Sequence, residues 1–333
     1  MATRKLGPAL AAGCTTVVKT PGETPFSANA LAVLGERAGI PKGVFNIVTA
    51  LDNTPAIGEH LCSSPIVKKI SFTGSTRVGR LLMKQSSDTI KKLSLELGGN
   101  APVLVFDDAD LALAVKEVVG AKFKSSGQTC VCANRIYVQK SIHDEFIRRL
   151  TATVKGFKVG SGHDPSSTHG PLIGASAVEK VAGLVEDAVK HGAQVVLGGK
   201  RIESLGPNFF EPTILTGVTD KMRIVREEIF GPVATIFRFD SEEEVIDAAN
   251  NCDVGLASYV FTQDVSRATR VTELLQTGMV ALNTGIVSDA GSPFGGVKQS
   301  GLGREGSKYG IEDYLQPKTV ITGNVQVTHR AHI

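Results

Sequence analysis

The chain contains no tryptophan, and aromatic residues make up only 5% of its 333 positions. No tract interleaves aromatic with basic residues, so no stacking platform for nucleic acid is expected. Charge of one sign is also missing. Its 36 basic and 33 acidic residues leave a formal charge of +3, too small an excess to mark a nucleic-acid or membrane-surface partner. The longest apolar stretches fall short of the roughly 20 residues that a membrane helix needs. The opening run "MATRKLGPALAAGCTTVVK" imitates a signal peptide, but Gly7, Pro8 and Gly13 break it and it leads into a strand-like segment, so it reads as part of the fold. Cysteine is sparse and odd in number: Cys14, Cys62, Cys130, Cys132 and Cys252. That pattern does not suit a secreted disulfide scaffold and points to a reducing compartment. Only one close cysteine pair exists, with no histidine cluster near it, so no metal is expected.

What the sequence does have is alternation. "TRKLGPALAAG" reads as a helix capped by Thr3 and stopped at Gly13. The β-branched "CTTVVK" reads as a strand. "SANALAVLGERAG", "AIGEHLCSS" and "STRVGRLLMKQSS" have helical spacing, and "GVFNIVT", "VKKISFTG" and "IKKLSLELGG" read as the strands between them. Strands separated by helices imply an α/β fold with a parallel sheet. Past Pro102 the alternation resumes. Asp107 to Asp110 supply a helix start ahead of an apolar stripe over 112–123, and "NRIYVQ", "AQVVLGG", "VATIFRFD", "ASYVFT" and "MVALN" read as further strands. No repeat or low-complexity linker interrupts them. A boundary near Gly98–Gly99 divides the chain into 1–98, 99–310 and a C-terminal segment over 311–333.

The chemistry-bearing motifs lie at the turns. "FTGSTRVG" places Gly74 and Ser75 between a strand and a helix, where free backbone N–H groups attract phosphate. Taken alone, it is equally an ordinary capped turn. "LELGG" puts Glu96 at the end of an apolar strand, where desolvation raises a carboxylate's pKa toward that of a general base. "GQTCVC" sets Cys130 at the mouth of a turn where N–H groups can lower its pKa; a small buried hydrophobe is the alternative reading. Cys132 falls on the same side as Cys130 if the segment is extended, and a bridge between them would be strained and readily reduced. "EEIFGP" and the glycine-dense "SPFGGVKQSGLGREGSKYG" read as functional loops.

Together, "GPALAAGCTTVVK", "FTGSTRVG", "LELGGNAP", "GQTCVCANR", "EEIFGPV" and "PFGGVKQSGLGREG" resemble the NAD(P)-dependent aldehyde dehydrogenases, in the family's order, and most of all their succinate-semialdehyde branch. The resemblance implies a Rossmann-type cofactor domain over 1–98 and an α/β catalytic domain over 99–310. It implies that Cys130 is the nucleophile that forms a thiohemiacetal and then a thioester, and that Glu96 is the general base. It assigns Lys19, Gly74, Ser75, Gly79, Glu228 and Phe230 to NAD or NADP. Arg4 and Ser288 match positions that hold the semialdehyde carboxylate, with Lys124 at the third, where an arginine is usual. Cys132 matches the second thiol of a redox switch.

Two departures shape the expectations. Gly22 stands where many members carry a ribose-binding glutamate, which opens the site to a 2′-phosphate. The family's upstream segment, with a Pro-Trp-Asn-Phe-Pro motif whose asparagine serves the oxyanion hole, has no counterpart here. Weakened catalysis and exposed sheet edges are the expected consequences. A catalytically impaired partner of full-length subunits is the rival reading. A homo-oligomer in the cytoplasm, or in mitochondria given an upstream targeting segment, completes the expectation.

Overall fold

The computed structural model describes residues 1–324; the rest of the tail predicted within 311–333 lies outside the described residues. The first lobe opens with α1 (Ala2–Ala11), which Met1 precedes without a side-chain cap. The expected Thr3 cap is therefore wrong. The helix starts ahead of Thr3, whose hydroxyl then lies inside the first turn. Gly13 does end it, at a φ of 76° that suits glycine.

Next, β1 (Thr16–Lys19), α2 (Phe26–Arg37) and β2 (Phe45–Val48) form one parallel pair. After α3 (Thr54–Ser63), β3 (Lys69–Thr73), α4 (Thr76–Ser86) and β4 (Lys92–Glu96) form a second. The expected single parallel sheet is thus two separate pieces in this lobe. Alternation in sequence sets strand direction, but it does not set adjacency.

The second lobe runs β5 (Ala101–Val105), α5 (Leu111–Phe123), β6 (Ala133–Gln139), α6 (His143–Lys155), α7 (Ala175–Lys190), β7 (Gln194–Leu197) and β8 (Thr213–Thr216). It continues through α8 (Arg223–Arg226), β9 (Val233–Phe239), α9 (Glu242–Asn250), β10 (Val254–Gly255), β11 (Ala257–Phe261), α10 (Val265–Leu274) and β12 (Met279–Leu282). Its seven-stranded sheet has the order β12-β11-β5-β6-β9-β8-β7 and is parallel except for β7. Alternate residues of β5 feed opposite faces: Val103 and Val105 pack with α5 and α6, whereas Leu104 packs with α9 and α10. Burial on both faces explains why "PVLVF" is an unbroken apolar run and "ASYVF" is interrupted only by the small Ser258.

The glycine-dense segment holds β13 (Val297–Lys298), paired with β10, and β14 (Gly301–Leu302), paired antiparallel with β4. It ties the lobes together: the carboxyl ends of β3 and β4 face the turns that enter β5, β6 and β9. Carboxyl ends of parallel strands are where α/β proteins bind ligands.

Candidate active site

Three successive left-handed residues, Ser125, Ser126 and Gly127, carry the chain from α5 toward Cys130. At position 127 only glycine fits, because a Cβ there would lie 2.0 Å from the Gly231 carbonyl oxygen. The Cys132 N–H then closes a turn on Thr129 O at 3.0 Å. The segment is not extended, and the two cysteines do not share a face as that conformation would require. Cys130 is half-buried, while Cys132 is 2% exposed and donates its thiol to the Lys122 carbonyl at 3.0 Å. The Cys130 backbone packs on Gly99, where a Cβ would come within 2.3 Å of its carbonyl oxygen.

The Cys130 thiol is pushed up to about 11, by burial first and then by Glu228 and Glu96. The expected lowering by nearby N–H groups is corrected: its own N–H and Arg4 offset only part of that rise. Glu96, the last residue of β4, is 2% exposed, and neither carboxylate oxygen has a hydrogen-bond partner. Burial, then Glu305, raises its pKa to about 8 against the pull of Lys5, Arg304 and Arg4. The glycine-dense loop wraps it closely. A Cβ on Gly295 would sit 2.9 Å from Glu96 Oε1, so the glycine leaves that oxygen room.

Lys5 and Glu305 are additions that the linear reading misses. Lys5 bonds both Glu305 and Thr73 Oγ1, the latter at 2.6 Å, and Glu305 is 5% exposed with one oxygen unpartnered. The only sequence signal was a carboxylate inside a glycine-rich loop.

Glu228 Oε1 accepts the Gly99 N–H at 3.1 Å, and a Cβ on Gly98 would lie 3.2 Å from Oε2. Burial raises its pKa, countered by the Gly99 N–H, Lys180 and Lys122. Lys180, also unforeseen, donates to the Glu228 carbonyl at 2.6 Å. Phe230 adopts a φ of 51° after fully buried Ile229, which leaves its ring partly exposed.

In the first lobe Lys19 ends β1, half-buried. Gly74 N–H bonds Glu96 O at 3.0 Å, which pins the turn before α4 to the end of β4. Ser75 caps α4 through Val78 N at 3.4 Å. Gly79 lets that helix close on the strand, since a Cβ there would sit 2.5 Å from a Leu97 methyl. Gly22 is equally confined, its would-be Cβ being 2.5 Å from a Leu51 methyl.

Arg4 and Ser288 meet: the guanidinium donates to Ser288 Oγ and stacks 4.1 Å over the Phe294 ring. They line a cleft of about 380 Å³ with Thr3, Asp289, Ala290 and Ser292. Lys124 is exposed at the end of α5 and does not line that cleft. Among the described residues no helix is long and apolar enough to cross a membrane, and no cluster of metal-ligating side chains forms.

The residues fit a nicotinamide dinucleotide. Glu228 keeps its second oxygen beside glycine backbone, as a ribose hydroxyl requires, and the first turn of α4 presents N–H groups to a pyrophosphate.

A thiol and a buried carboxylate between two α/β lobes are an arrangement that suits covalent catalysis. The aldehyde dehydrogenase family model matches residues 1–320, and the chain belongs to that family. It is 57% identical over 321 residues to succinate-semialdehyde dehydrogenase [NADP(+)] 1 of Schizosaccharomyces pombe, covering 96% of this chain and 64% of that protein. It is 54% identical to the glutarate-semialdehyde dehydrogenase of Pseudomonas aeruginosa, covering 98% of this chain and 67% of that protein. The crystal structure of an NADP-dependent enzyme from E. coli superposes with a TM-score of 0.93 at 55% identity, over 95% of this chain and 65% of that one. The chain thus spans about two thirds of the length of the proteins it matches.

Proposed function

We propose that the chain oxidises an ω-carboxylated aldehyde, succinate semialdehyde or a close homologue, to the acid with NAD(P) as oxidant. The observation that carries this reading is the half-buried Cys130 coupled to a Glu96 whose two oxygens are buried and free. The Arg4–Ser288 contact supplies an anion-binding end for the substrate. Relatives named for succinate and glutarate semialdehydes agree with that class.

Cys130 Sγ bonds the aldehyde carbon, and its proton leaves as it does so. With Glu96 near 8 and Cys130 near 11, Glu96 ionises first and is the carboxylate coupled to the thiol that can take its proton. NAD(P), when bound, accepts the hydride that leaves that carbon. Glu96 passes the thiol proton to solvent and then takes one from the water that attacks the thioester; the C–S bond breaks, the acid leaves and the Cys130 thiolate is regenerated. Glu228 and Phe230 hold the nicotinamide ribose, Lys19 the adenosine ribose, and Gly74, Ser75 and Gly79 shape the pyrophosphate turn. The confined Gly22 brings no carboxylate against a 2′-phosphate, which favours NADP. Lys124 contributes charge at the periphery. Cys132 is a second redox thiol that reaches Cys130 only if the 129–132 turn opens.

The same proposal takes 1–98 as the cofactor unit and 99–310 as the catalytic unit, in a cytoplasmic homo-oligomer. Sedimentation of the purified chain tests the assembly.

Absorbance at 340 nm with succinate semialdehyde and either cofactor tests the activity. The expected result is a rate that Cys130→Ala lowers by at least about 1000-fold with no change in circular dichroism. A folded wild-type chain with no rate sinks the proposal.

A further inference from the structure

The loop that carries Ser288 is held at two points before it reaches the cleft. It leaves β12 at Asn283, a left-handed residue with a φ of 54° whose side chain bonds Thr262 N–H and O at 3.1 and 2.9 Å. Two residues later it is seized again. Glu117, half-buried in the middle of α5, accepts the Gly285 N–H at 2.8 Å and the Thr284 hydroxyl at 3.4 Å through the same oxygen. The loop backbone lies so close to α5 that a Cβ on Gly285 would be 2.3 Å from the Glu117 carbonyl oxygen and 3.4 Å from the Ala121 methyl. Beyond Ser288 the next backbone anchor is Ala290 O, which accepts the Ser307 N–H at 3.1 Å.

The same helix also leads into the turn that bears Cys130. From Glu117 to the last residue of α5 is about 9 Å of helix, and the turn bearing Cys130 follows directly, with Cys132 bonded back to the Lys122 carbonyl. One helix therefore holds both the turn that bears the nucleophile and the loop that brings Ser288 to Arg4. A carboxylate that accepts a backbone N–H is a charge-assisted bond, the stronger kind, and an unbonded Gly285 N–H would let the loop drift.

We propose that Glu117 is a positioning residue that clamps Gly285 to α5, fixes the Ser288 loop relative to the turn bearing Cys130, and so sets the chain length of the ω-carboxylated aldehyde that the site accepts. The inference rests on the proposed function, and its test separates the two. For Glu117→Ala, the ratio of kcat/KM for succinate semialdehyde to that for glutarate semialdehyde shifts by about tenfold, carried mostly by KM. Glu117→Gln retains the wild-type ratio, because its amide oxygen still accepts the Gly285 N–H. Gly285→Ala, which forces the loop off α5, shifts the ratio in the same way and stands in if Glu117→Ala does not fold. Equal losses on both substrates with a lowered Tm would show a merely structural role and overturn the inference.

A readout independent of turnover accompanies it: protection of Cys130 from iodoacetamide by succinate or by glutarate. A wild-type chain that oxidises no aldehyde, yet shows a succinate-to-glutarate protection ratio that Glu117→Ala changes, sinks the catalytic reading and supports the clamp. Absence of protection by either diacid, or a ratio that Glu117→Ala leaves unchanged, overturns the clamp.

Discussion

The two lobes share one βα grammar and differ in how it is buried. In the second lobe every residue of β5 and β11 is buried, with helices on both faces of the sheet. In the first lobe β1, β2 and β3 contain no buried residue, and Val17, Phe26, Ile66 and Met83 stand exposed at 51, 84, 85 and 49%. A site built between them has one densely packed wall and one thinly packed wall. Cys130 and Glu228 belong to the dense one. Glu96 belongs to the thin lobe, at the buried end of β4, where the glycine-dense loop crosses from the other side and pairs with it. Precision in this site comes from the second lobe and is lent to the first.

The largest expected effect tests that contrast directly. Leu104→Ala removes a fully buried side chain from β5 and should cost about 2–5 kcal/mol, whereas Val17→Ala on the exposed face of β1 should stay within about 0.5 kcal/mol. Urea denaturation of both variants measures the gap. Comparable losses would mean that the lobes are equally well packed in solution, and the contrast would fail.

A smaller effect sharpens it at Glu96, at the buried end of β4 in the thin lobe. The folded pKa of about 8 lies above the 4.5 of a free carboxyl, so the native state holds a proton that the unfolded state has released between those values. The favourable contribution is present below about pH 4.5 and is lost as pH rises through 8. Wild-type stability should therefore fall by up to roughly 4 kcal/mol between pH 5 and 9 relative to Glu96→Gln, which lacks the ionisation. Denaturation midpoints of the two proteins that run parallel across that range would remove the buried, unpaired carboxylate from the argument. On the proposed chemistry, thioester hydrolysis should rise through the same pH 8 as Glu96 ionises.

How far the sequence discloses all this depends on how local each feature is. The Asp110 helix start, the strand ending at Glu96 and the turn at Gly74–Ser75 are read from a few neighbouring residues, and the structure has them there. The helices over His143–Lys155, Ala175–Lys190 and Val265–Leu274 carry apolar spacing that a motif-led reading passes over. The pairing of Lys5 with Glu305 spans 300 positions and has no local signature. The direction of the Cys130 shift fails for the same reason. The sequence displays the N–H groups beside the thiol, while the burial that outweighs them, and then the carboxylates of Glu228 and Glu96, arrive only by folding. Gly285 and Glu117 look like an unremarkable glycine and a solvated helix charge until the loop is laid on the helix.

The smallest effect compares two helix starts, one from each lobe. Asp110 caps α5 with a carboxylate that accepts two N–H groups, Ala112 and Leu113, both at 3.0 Å. Ser75 caps α4 with a hydroxyl that accepts one, from Val78, at 3.4 Å. A charged, doubly bonded cap opposite the positive end of the helix dipole belongs at the upper end of capping energies, and a single long hydroxyl bond at the lower. Asp110→Ala should cost about 1–2 kcal/mol and Ser75→Ala about 0.5 kcal/mol. The asymmetry has a functional logic on the proposed reading. A weak intrinsic cap leaves the first-turn N–H groups of α4 available to a pyrophosphate, so NADP should raise the Tm of wild type and Ser75→Ala by nearly the same amount. A Ser75→Ala chain as destabilised as Asp110→Ala would show the hydroxyl to be a structural cap first, and would bring the thin lobe's helix start level with that of its partner.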